Sequence, residues 1–349
     1  MTRLDLYFAL GRPFSPFYGI LMRIRSALYE NNILKRHTLP IPVISIGNLT
    51  VGGTGKTPVV LALARKLKEE GYHPAVISRG YGGKAKLKSN TVSTGKEILL
   101  SVEDGGDEPV MLAKNLPGIP VITGKSRIHP CLQAIGLHKA DVLLLDDGFQ
   151  HLAIKRHIDI VLFNATTLAG NSRVLPGGVL REPVNALHRC HAFMLTGVNS
   201  ANRDRAEKFS ELFQSRFPGK PLFLSETGDY EVWSVDEQKE MTDLSLLWQT
   251  AAFCAIANPI RFHDSIKMID IDLVRFSPFA DHRKYSQSSL DKICDEASLA
   301  GAKSLLTTEK DFVKIEHLKW TLPLYILKIN QNTGKDFNDY ILKALIKEE

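Results

Sequence analysis

The densest chemistry in the sequence lies at residues 43–58. Val43-Ile44-Ser45-Ile46 runs into Gly47-Asn48-Leu49-Thr50-Val51-Gly52-Gly53-Thr54-Gly55-Lys56-Thr57-Pro58. An apolar strand, a glycine-rich turn and a helix opened by Gly-Lys-Thr is the mechanical layout of a phosphate-binding loop. Glycines let backbone N–H groups turn inward around phosphates, and the helix N-terminus adds positive potential. In that layout Thr50, Val51, Gly52, Gly53, Thr54, Gly55, Lys56 and Thr57 cradle the phosphates of a nucleotide. Lys56 reaches the β/γ groups, and the Thr57 hydroxyl binds Mg²⁺. The standard spacing asks for glycine at position 50, where this chain has Thr50, so the run takes the G-G-x-G-K-T form.

A second acidic element fits beside it. Val142-Leu143-Leu144-Leu145 is a continuous aliphatic strand ending in Asp146-Asp147, which sets carboxylates where they can hold Mg²⁺ directly or through water. Further clusters supply an acceptor side. Gly105-Gly106-Asp107-Glu108-Pro109 puts an acid pair on a turn before a helix. A kinase needs such a group to orient an acceptor hydroxyl and take its proton, although Asp107 also reads as a simple helix N-cap. Gly148-Phe149-Gln150-His151 extends the strand edge where open α/β sheets bind ligands. Leu175–Pro183 forms a Pro/Gly loop offering Arg181 and Glu182, and Asp281-His282 is a lone acid–imidazole pair. Thr307-Thr308-Glu309-Lys310-Asp311 follows a strand and serves either as a cleft contact or as a helix cap.

The elements that must position these groups alternate strand and helix from residue 40. Strands are expected at 43–46, 75–78, 120–123, 142–145, 159–163, 192–196 and 221–224. Helices are expected at 57–70, 108–115, 126–136 and near 202–213. This is an open α/β fold, P-loop NTPase-like, with a mostly parallel sheet. Short strands and turns at 218–233 suggest a boundary. The expected organisation is an N-terminal segment at 1–38, a P-loop domain at 39–218 and a smaller C-terminal α/β domain at 219–349.

Composition excludes several classes. A chain of 349 residues with 44% hydrophobic and 23% charged residues is neither disordered nor fibrous. Its four scattered cysteines form no C-x-x-C pair, so neither a disulfide framework nor a zinc site is expected. Residues 1–38 carry Arg3, Arg12, Arg23, Arg25, Lys35 and Arg36 against only Asp5 and Glu30, most of the chain's formal +6. The remainder is nearly neutral, which argues against a nucleic-acid surface. The same segment is apolar and aromatic, with Phe17, Ile20, Leu21, Ile24 and Leu28 at helical spacing and Arg23 and Arg25 off that stripe. Arginines interrupt every apolar run before it could span a bilayer. Such a helix either lies in a membrane interface or packs on its own domain, and the excess of Phe, Tyr and Arg favours the membrane surface.

These clusters, in this order, resemble one family, the tetraacyldisaccharide 4′-kinases. The matching stretches are G-N-L-T-V-G-G-T-G-K-T-P (47–58), S-R-G-Y-G (78–82), G-D-E-P (106–109), L-D-D-G-F-Q-H (145–151), L-P-G-G-V-L-R-E-P (175–183), F-A-D-H (279–282) and L-T-T-E-K-D (306–311). The resemblance implies an ATP- and Mg²⁺-dependent lipid kinase of lipid A, and hence lipopolysaccharide, biosynthesis. It would transfer the γ-phosphoryl to the 4′-hydroxyl of an acylated glucosamine disaccharide 1-phosphate, giving the 1,4′-bisphosphate. It also implies a peripheral enzyme at the cytoplasmic face of the inner membrane, with no nucleic acid and no obligate protein partner. Carried over residue by residue, Asp107 resembles the catalytic base and His282 its partner. Thr57, Asp146 and Asp147 resemble the Mg²⁺ shell, and Glu108, Gln150, His151, Arg181 and Glu182 line the site. Arg127, opening a helix after Gly124-Lys125-Ser126, adds an expected phosphate or substrate contact. Ala255-Ile256-Ala257-Asn258-Pro259 stands where a glycine-rich turn is expected, which leaves its approach to a ligand open. A soluble small-metabolite kinase and a membrane-recruited regulatory ATPase are the competing readings of the loop.

Overall fold

The computed structural model describes residues 3–346. Residues 1–2 and 347–349, the outer ends of the expected first and last segments, lie outside the described residues. Eight strands occupy the first two-thirds of the chain: β1 (Val43–Asn48), β2 (Pro74–Ser78), β3 (Asn90–Ser93), β4 (Val121–Thr123), β5 (Val142–Asp146), β6 (Ile158–Asn164), β7 (Ala192–Val198) and β8 (Leu222–Ser234). Five follow: β9 (Lys239–Glu240), β10 (Thr250–Cys254), β11 (Leu273–Pro278), β12 (Ser304–Thr308) and β13 (Leu324–Gln331). They form a continuous sheet in the order β11-β10-β12-β13-β8-β7-β6-β1-β5-β2-β4-β3, with β9 beside β8. The α/β architecture read from the alternation is therefore the one observed, with β1 between β5 and β6, both parallel to it.

The central strands form because their side chains have no polar face to satisfy. Every residue of β1, β5 and β6 is buried, as expected of parallel strands covered on both sides. The helix Lys56–Glu69 buries Val59, Val60, Leu63, Ala64 and Leu67 against the sheet. The helix Lys335–Ile346, not foreseen from the sequence, returns from the chain's end and adds Phe337, Ile341 and Leu345 to that same core. β3, β11 and the helix Gln287–Leu299 were likewise absent from the sequence reading.

Residues 218–233 depart from expectation. Instead of short strands separated by turns, β8 runs unbroken over 222–234. Its first part pairs parallel with β7, Phe193 opposite Leu222 and Thr196 opposite Ser225. Its second part pairs antiparallel with β13, Tyr325 opposite Ser234 and Gln331 opposite Thr227. The carboxyl end of β13 therefore arrives where β8 leaves β7. Because β10 and β12 run parallel to β13, the carboxyl edges of both halves of the sheet face each other. Ligands of open α/β sheets bind at that edge, and here two such edges enclose one cleft.

The N-terminal helices Arg3–Gly11 and Ser15–Glu30 lie on the first half. Ser15 and Gly19 are buried; Ser15 Oγ donates to Val174 O at 2.9 Å, and Tyr18 Oη donates to Arg181 O at 3.0 Å. The apolar stripe does not pack on the protein: Phe17, Ile20, Leu21 and Ile24 are each more than half exposed, as are Leu6, Tyr7, Leu10 and Phe14. No described helix is long and apolar enough to cross a membrane.

One close approach in β1 is decisive for the loop that follows. A Cβ on Gly47 would lie 2.5 Å from Phe149 Cβ and 2.7 Å from Phe149 N. Gly47→Ala is expected to destabilise the chain by roughly 1–3 kcal/mol through overpacking. The denaturant midpoint checks this, and an unchanged midpoint contradicts it.

Candidate functional site

The phosphate loop leaves the carboxyl end of β1 and is braced from behind. Val51 N donates to Val179 O at 2.7 Å, and Arg181 N donates to Leu49 O at 2.7 Å. Thr196 Oγ1 donates to Thr54 O at 2.8 Å. Gly55 sits at φ 75° as it opens the helix, a left-handed conformation that glycine adopts without penalty. The loop forms one wall of a cleft of about 690 Å³, to which Val51–Thr57 all contribute.

The two aspartates after β5 have opposite environments. Asp146 is buried; its Oδ2 accepts a 3.3 Å hydrogen bond from Ser78 Oγ, and its Oδ1 has no partner. Burial, reinforced by Glu108 and Asp147, pushes its carboxyl up to about 7. Asp147 accepts from Arg181 Nη1 at 2.8 Å and lies 3.4 Å from Lys56 Nζ. Burial alone would raise it, but Lys56 and Arg181 more than offset that and hold it below its ordinary value. Arg127 is buried and donates to both backbone carbonyls of the pair, 3.4 Å to Asp146 O and 3.1 Å to Asp147 O. It fixes the turn that presents the carboxylates.

The opposite wall comes from the segments that follow β10, β11 and β12, with Leu327 and Ile329 of β13. His282 Nδ1 lies 3.0 Å from Asp107 Oδ2, although 175 residues separate them. Asp107 is buried at the start of the helix Asp107–Asn115, where Gly106 and not Asp107 holds the N-cap position. Asp107 Oδ1 still accepts from the Glu108 backbone N–H at 3.0 Å in that first turn, while Oδ2 turns to His282. Two lysines flank it, Lys314 Nζ at 3.8 Å and Lys310 Nζ at 4.0 Å. Lys310 also reaches Glu108 at 3.0 Å, Asp281 at 3.4 Å and His282 Nε2 at 3.5 Å. Desolvation opposes its charge, but Glu108, Asp107 and Asp281 outweigh it and raise its pKa. Lys314 is held at 2.9 Å by the buried Asp311, which also accepts from Ala255 N at 2.9 Å and Thr308 Oγ1 at 2.8 Å.

A glycine-rich loop, an acid pair beside it and an acid–imidazole pair opposite thus line or adjoin one cleft. Residues 7–346 match the family described as Tetraacyldisaccharide-1-P 4′-kinase. The chain belongs to that family. It is 44% identical over 99% of its length to the tetraacyldisaccharide 4′-kinase of Desulfotalea psychrophila, covering 98% of that relative. It is 40% identical to that of Syntrophus aciditrophicus, over 95% of this chain and 91% of the relative. Among solved structures it is similar to the LpxK of Aquifex aeolicus in complex with ATP, with a TM-score of 0.77 and 30% identity, covering 95% of this chain and 98% of that one.

Not every residue singled out from the sequence meets in the cleft. Val51–Thr57, Glu108, Arg127, Asp146, Asp147, Arg181 and His282 line it. Asp107 is not among the lining residues but contacts His282, which is. Thr50 is buried in a bridge to Leu180, behind the loop's inner face. Gln150 braces the loop from outside, its Nε2 donating to Asn48 O at 2.9 Å. Glu182 is buried against Arg189, 2.7 Å away, facing a separate cavity beneath the helix Ser15–Glu30. His151 also stands off the cleft wall, and burial, aided by Arg127 and Arg156, drives its imidazole down to about 4. Gln150, His151 and Glu182 are thus not among the residues that line this cleft. Residues 256–258 do reach the cleft despite lacking the expected glycines. Lys310, Lys314, Tyr81 and Arg261 were not singled out. Lys310 lay within a flagged run, but nothing local marks which of its residues turns toward Asp107.

The residues present fit a Mg²⁺ ion. Asp146 Oδ1 is a buried carboxylate oxygen with no partner, and Thr57 shares its cleft. Among the described residues no group of three His, Cys, Asp or Glu side chains could hold a metal alone. A cation here would complete its shell with phosphate oxygens and water, as Mg²⁺ commonly does. Asp146 also has a stability consequence with a definite sign. Its folded pKa of about 7 lies above its ordinary 3.8, so the native state binds the extra proton and stability falls as pH rises from about 4 to 7. Asp146→Asn is expected to raise metal-free stability at pH 8 by on the order of 4 kcal/mol, with a smaller gain at pH 5. Thermal melts in chelator at both pH values check this; a gain that does not grow with pH contradicts it.

Proposed function

We propose that this chain transfers the γ-phosphoryl of ATP to the 4′-hydroxyl of a tetraacyldisaccharide 1-phosphate, giving the 1,4′-bisphosphate of lipid A biosynthesis. The observation that carries the mechanism is the 3.0 Å contact between Asp107 and His282 across the cleft from the phosphate loop. The ATP complex of the similar Aquifex aeolicus LpxK supports a nucleotide in that cleft.

In this reading the triphosphate lies on residues 51–57, its charge met by loop N–H groups and Lys56. Bound Mg²⁺, held by Asp146 and Thr57 with Asp147 nearby, supplies charge neutralisation at the phosphates. The sugar hydroxyl is oriented beside Asp107. Its oxygen forms the new bond to the γ-phosphorus as the bond to the β,γ-bridging oxygen breaks, and ADP leaves. Asp107 takes the hydroxyl proton. His282 fixes the carboxylate, and Lys310 and Lys314 flank it. Arg181 stands where the acid pair meets the loop 175–183 and orients the acceptor. Residues 39–218 act as the phosphate-binding part and 219–349 as the smaller part that brings His282 to it.

The N-terminal helices supply the approach to the lipid. Their apolar face is exposed and aromatic, with the exposed Arg12 and Arg23 on the same segment to meet lipid phosphates. The chain accordingly binds peripherally at the cytoplasmic face of the inner membrane.

Transfer of labelled γ-phosphate from ATP to an extracted acidic lipid pool tests the reaction. A labelled lipid is the expected product, whereas hydrolysis with no labelled lipid points to a regulatory ATPase. Asp107→Ala is expected to lower kcat by about 10²–10⁴-fold with ATP binding retained. His282→Ala is expected to lower kcat in the same direction, and full turnover in either variant removes that residue from the mechanism. Replacing Phe14, Phe17 and Leu21 by Gln is expected to reduce sedimentation with anionic vesicles while leaving ATP binding unchanged; undiminished sedimentation contradicts the membrane assignment.

A further inference from the structure

Among the cleft's cations that are at least partly buried, Arg261 has neither a carboxylate nor a carbonyl partner, whereas Arg79, on the same cleft, is exposed to solvent. Lys56 pairs with Asp147, Arg181 with Asp147 and Lys310 with Glu108, while Arg127 donates to backbone carbonyls. Arg261 lines the same cleft, yet among the described residues its guanidinium makes no ion pair and no hydrogen bond. Burial pushes its pKa below the ordinary value, and no carboxylate restores it. A partly buried guanidinium left unpaired is costly, so it is expected to meet an anion in the working protein.

Its position says which anion. Arg261 is the third residue of the helix Pro259–Met268, whose first turn is fixed by Asn258 Oδ1 accepting from Arg261 N at 3.2 Å. From there the side chain reaches back to the phosphate loop of the other half. Its Nη1 lies 3.7 Å from where a Cβ on Gly55 would stand, and its Nη2 lies 3.5 Å from the equivalent point on Gly197. Both positions are glycines, so no side chain separates the guanidinium from the backbone at Gly55, immediately before Lys56. The planar fork of arginine matches paired phosphate oxygens.

We propose that Arg261 binds the phosphate tail of the nucleotide from the C-terminal half, opposite Lys56. The inference rests on the kinase reading above. It assigns the C-terminal half a direct role in holding ATP, in addition to supplying His282. Occupation of the cleft by ATP then ties the helix Pro259–Met268 to the phosphate loop.

The test uses the full chain with Arg261→Met, which keeps an apolar stem in the buried site, and Arg261→Lys, which keeps the charge. Binding of Mg²⁺ with a non-hydrolysable ATP analogue and binding of AMP are measured by calorimetry, with thermal melts as a folding control. Expected is a roughly ten- to hundredfold loss of analogue affinity in Arg261→Met, a smaller loss in Arg261→Lys and unchanged AMP affinity. Wild-type affinity for the analogue in a folded Arg261→Met variant overturns the inference, as does an equal loss for AMP, which would mark Arg261 as shaping the nucleoside pocket. Should Arg261→Met not fold, Arg261→Lys decides, because wild-type analogue affinity there removes any need for the arginine fork. Failure of the wild-type chain to bind the analogue overturns the kinase reading instead.

Discussion

The structure depends on one change of partner along β8. Over 222–226 this strand extends the parallel sheet beside β7, and over 227–234 it pairs antiparallel with β13. An antiparallel joint reverses the direction of every strand beyond it, so the carboxyl edge of β10, β12 and β13 is turned back toward that of β1 and β5. Loops at carboxyl edges carry the ligand-binding residues of open α/β sheets. The reversal therefore gives two loop sets facing each other across one cleft, each held by a buried strand.

That geometry explains the charge distribution. The first edge carries the nucleotide groups, Lys56 with Asp146 and Asp147, and the second carries His282, Lys310, Lys314 and Arg261. Asp107 belongs to the first half by sequence but is ionically surrounded by the second. Its neighbours Lys310 and Lys314 come from one short helix, Glu309–Ile315, packed against the helix that opens with Asp107. A buried carboxylate is tolerable only when paired, and both lysines are themselves fixed by other acids. Asp311 anchors Lys314, while Glu108 and Asp281 anchor Lys310. Asp146 is the contrast, a buried carboxylate left short of partners at a place that fits a metal ion. Natural proteins accept such local cost where function requires it.

The N-terminal helices show the same economy of contacts on the outside. Ser15, Tyr18 and Arg25 tie the helix Ser15–Glu30 to residues 150, 174, 177 and 181. The loop it grips is the one whose backbone braces the phosphate loop at Leu49 and Val51. An apolar surface outside and a phosphate loop inside are thus two contacts apart, which suits an enzyme whose acceptor is embedded in lipid.

The sequence by itself determined the phosphate loop, the aliphatic strand ending in two acids and an apolar stripe at helical spacing, whose exposure the structure decided. Each is written in residues close together in the chain: glycines that free φ, β-branched and leucine runs that must be buried on both faces, and a helical period of apolar side chains. It also identified Asp107 and His282 as separate acid and imidazole candidates, and their association came only with the resemblance to a family. What tertiary structure alone decided is which charges meet. Asp107, Asp281, His282, Lys310 and Lys314 converge because β8 changes partner, and no local pattern encodes a pairing set by strand order. The same holds for Gln150, His151 and Glu182, which lie beside cleft residues in sequence but are not among those lining the cleft. Successive residues around a tight turn point in different directions, and only packing fixes which of them reaches the cleft.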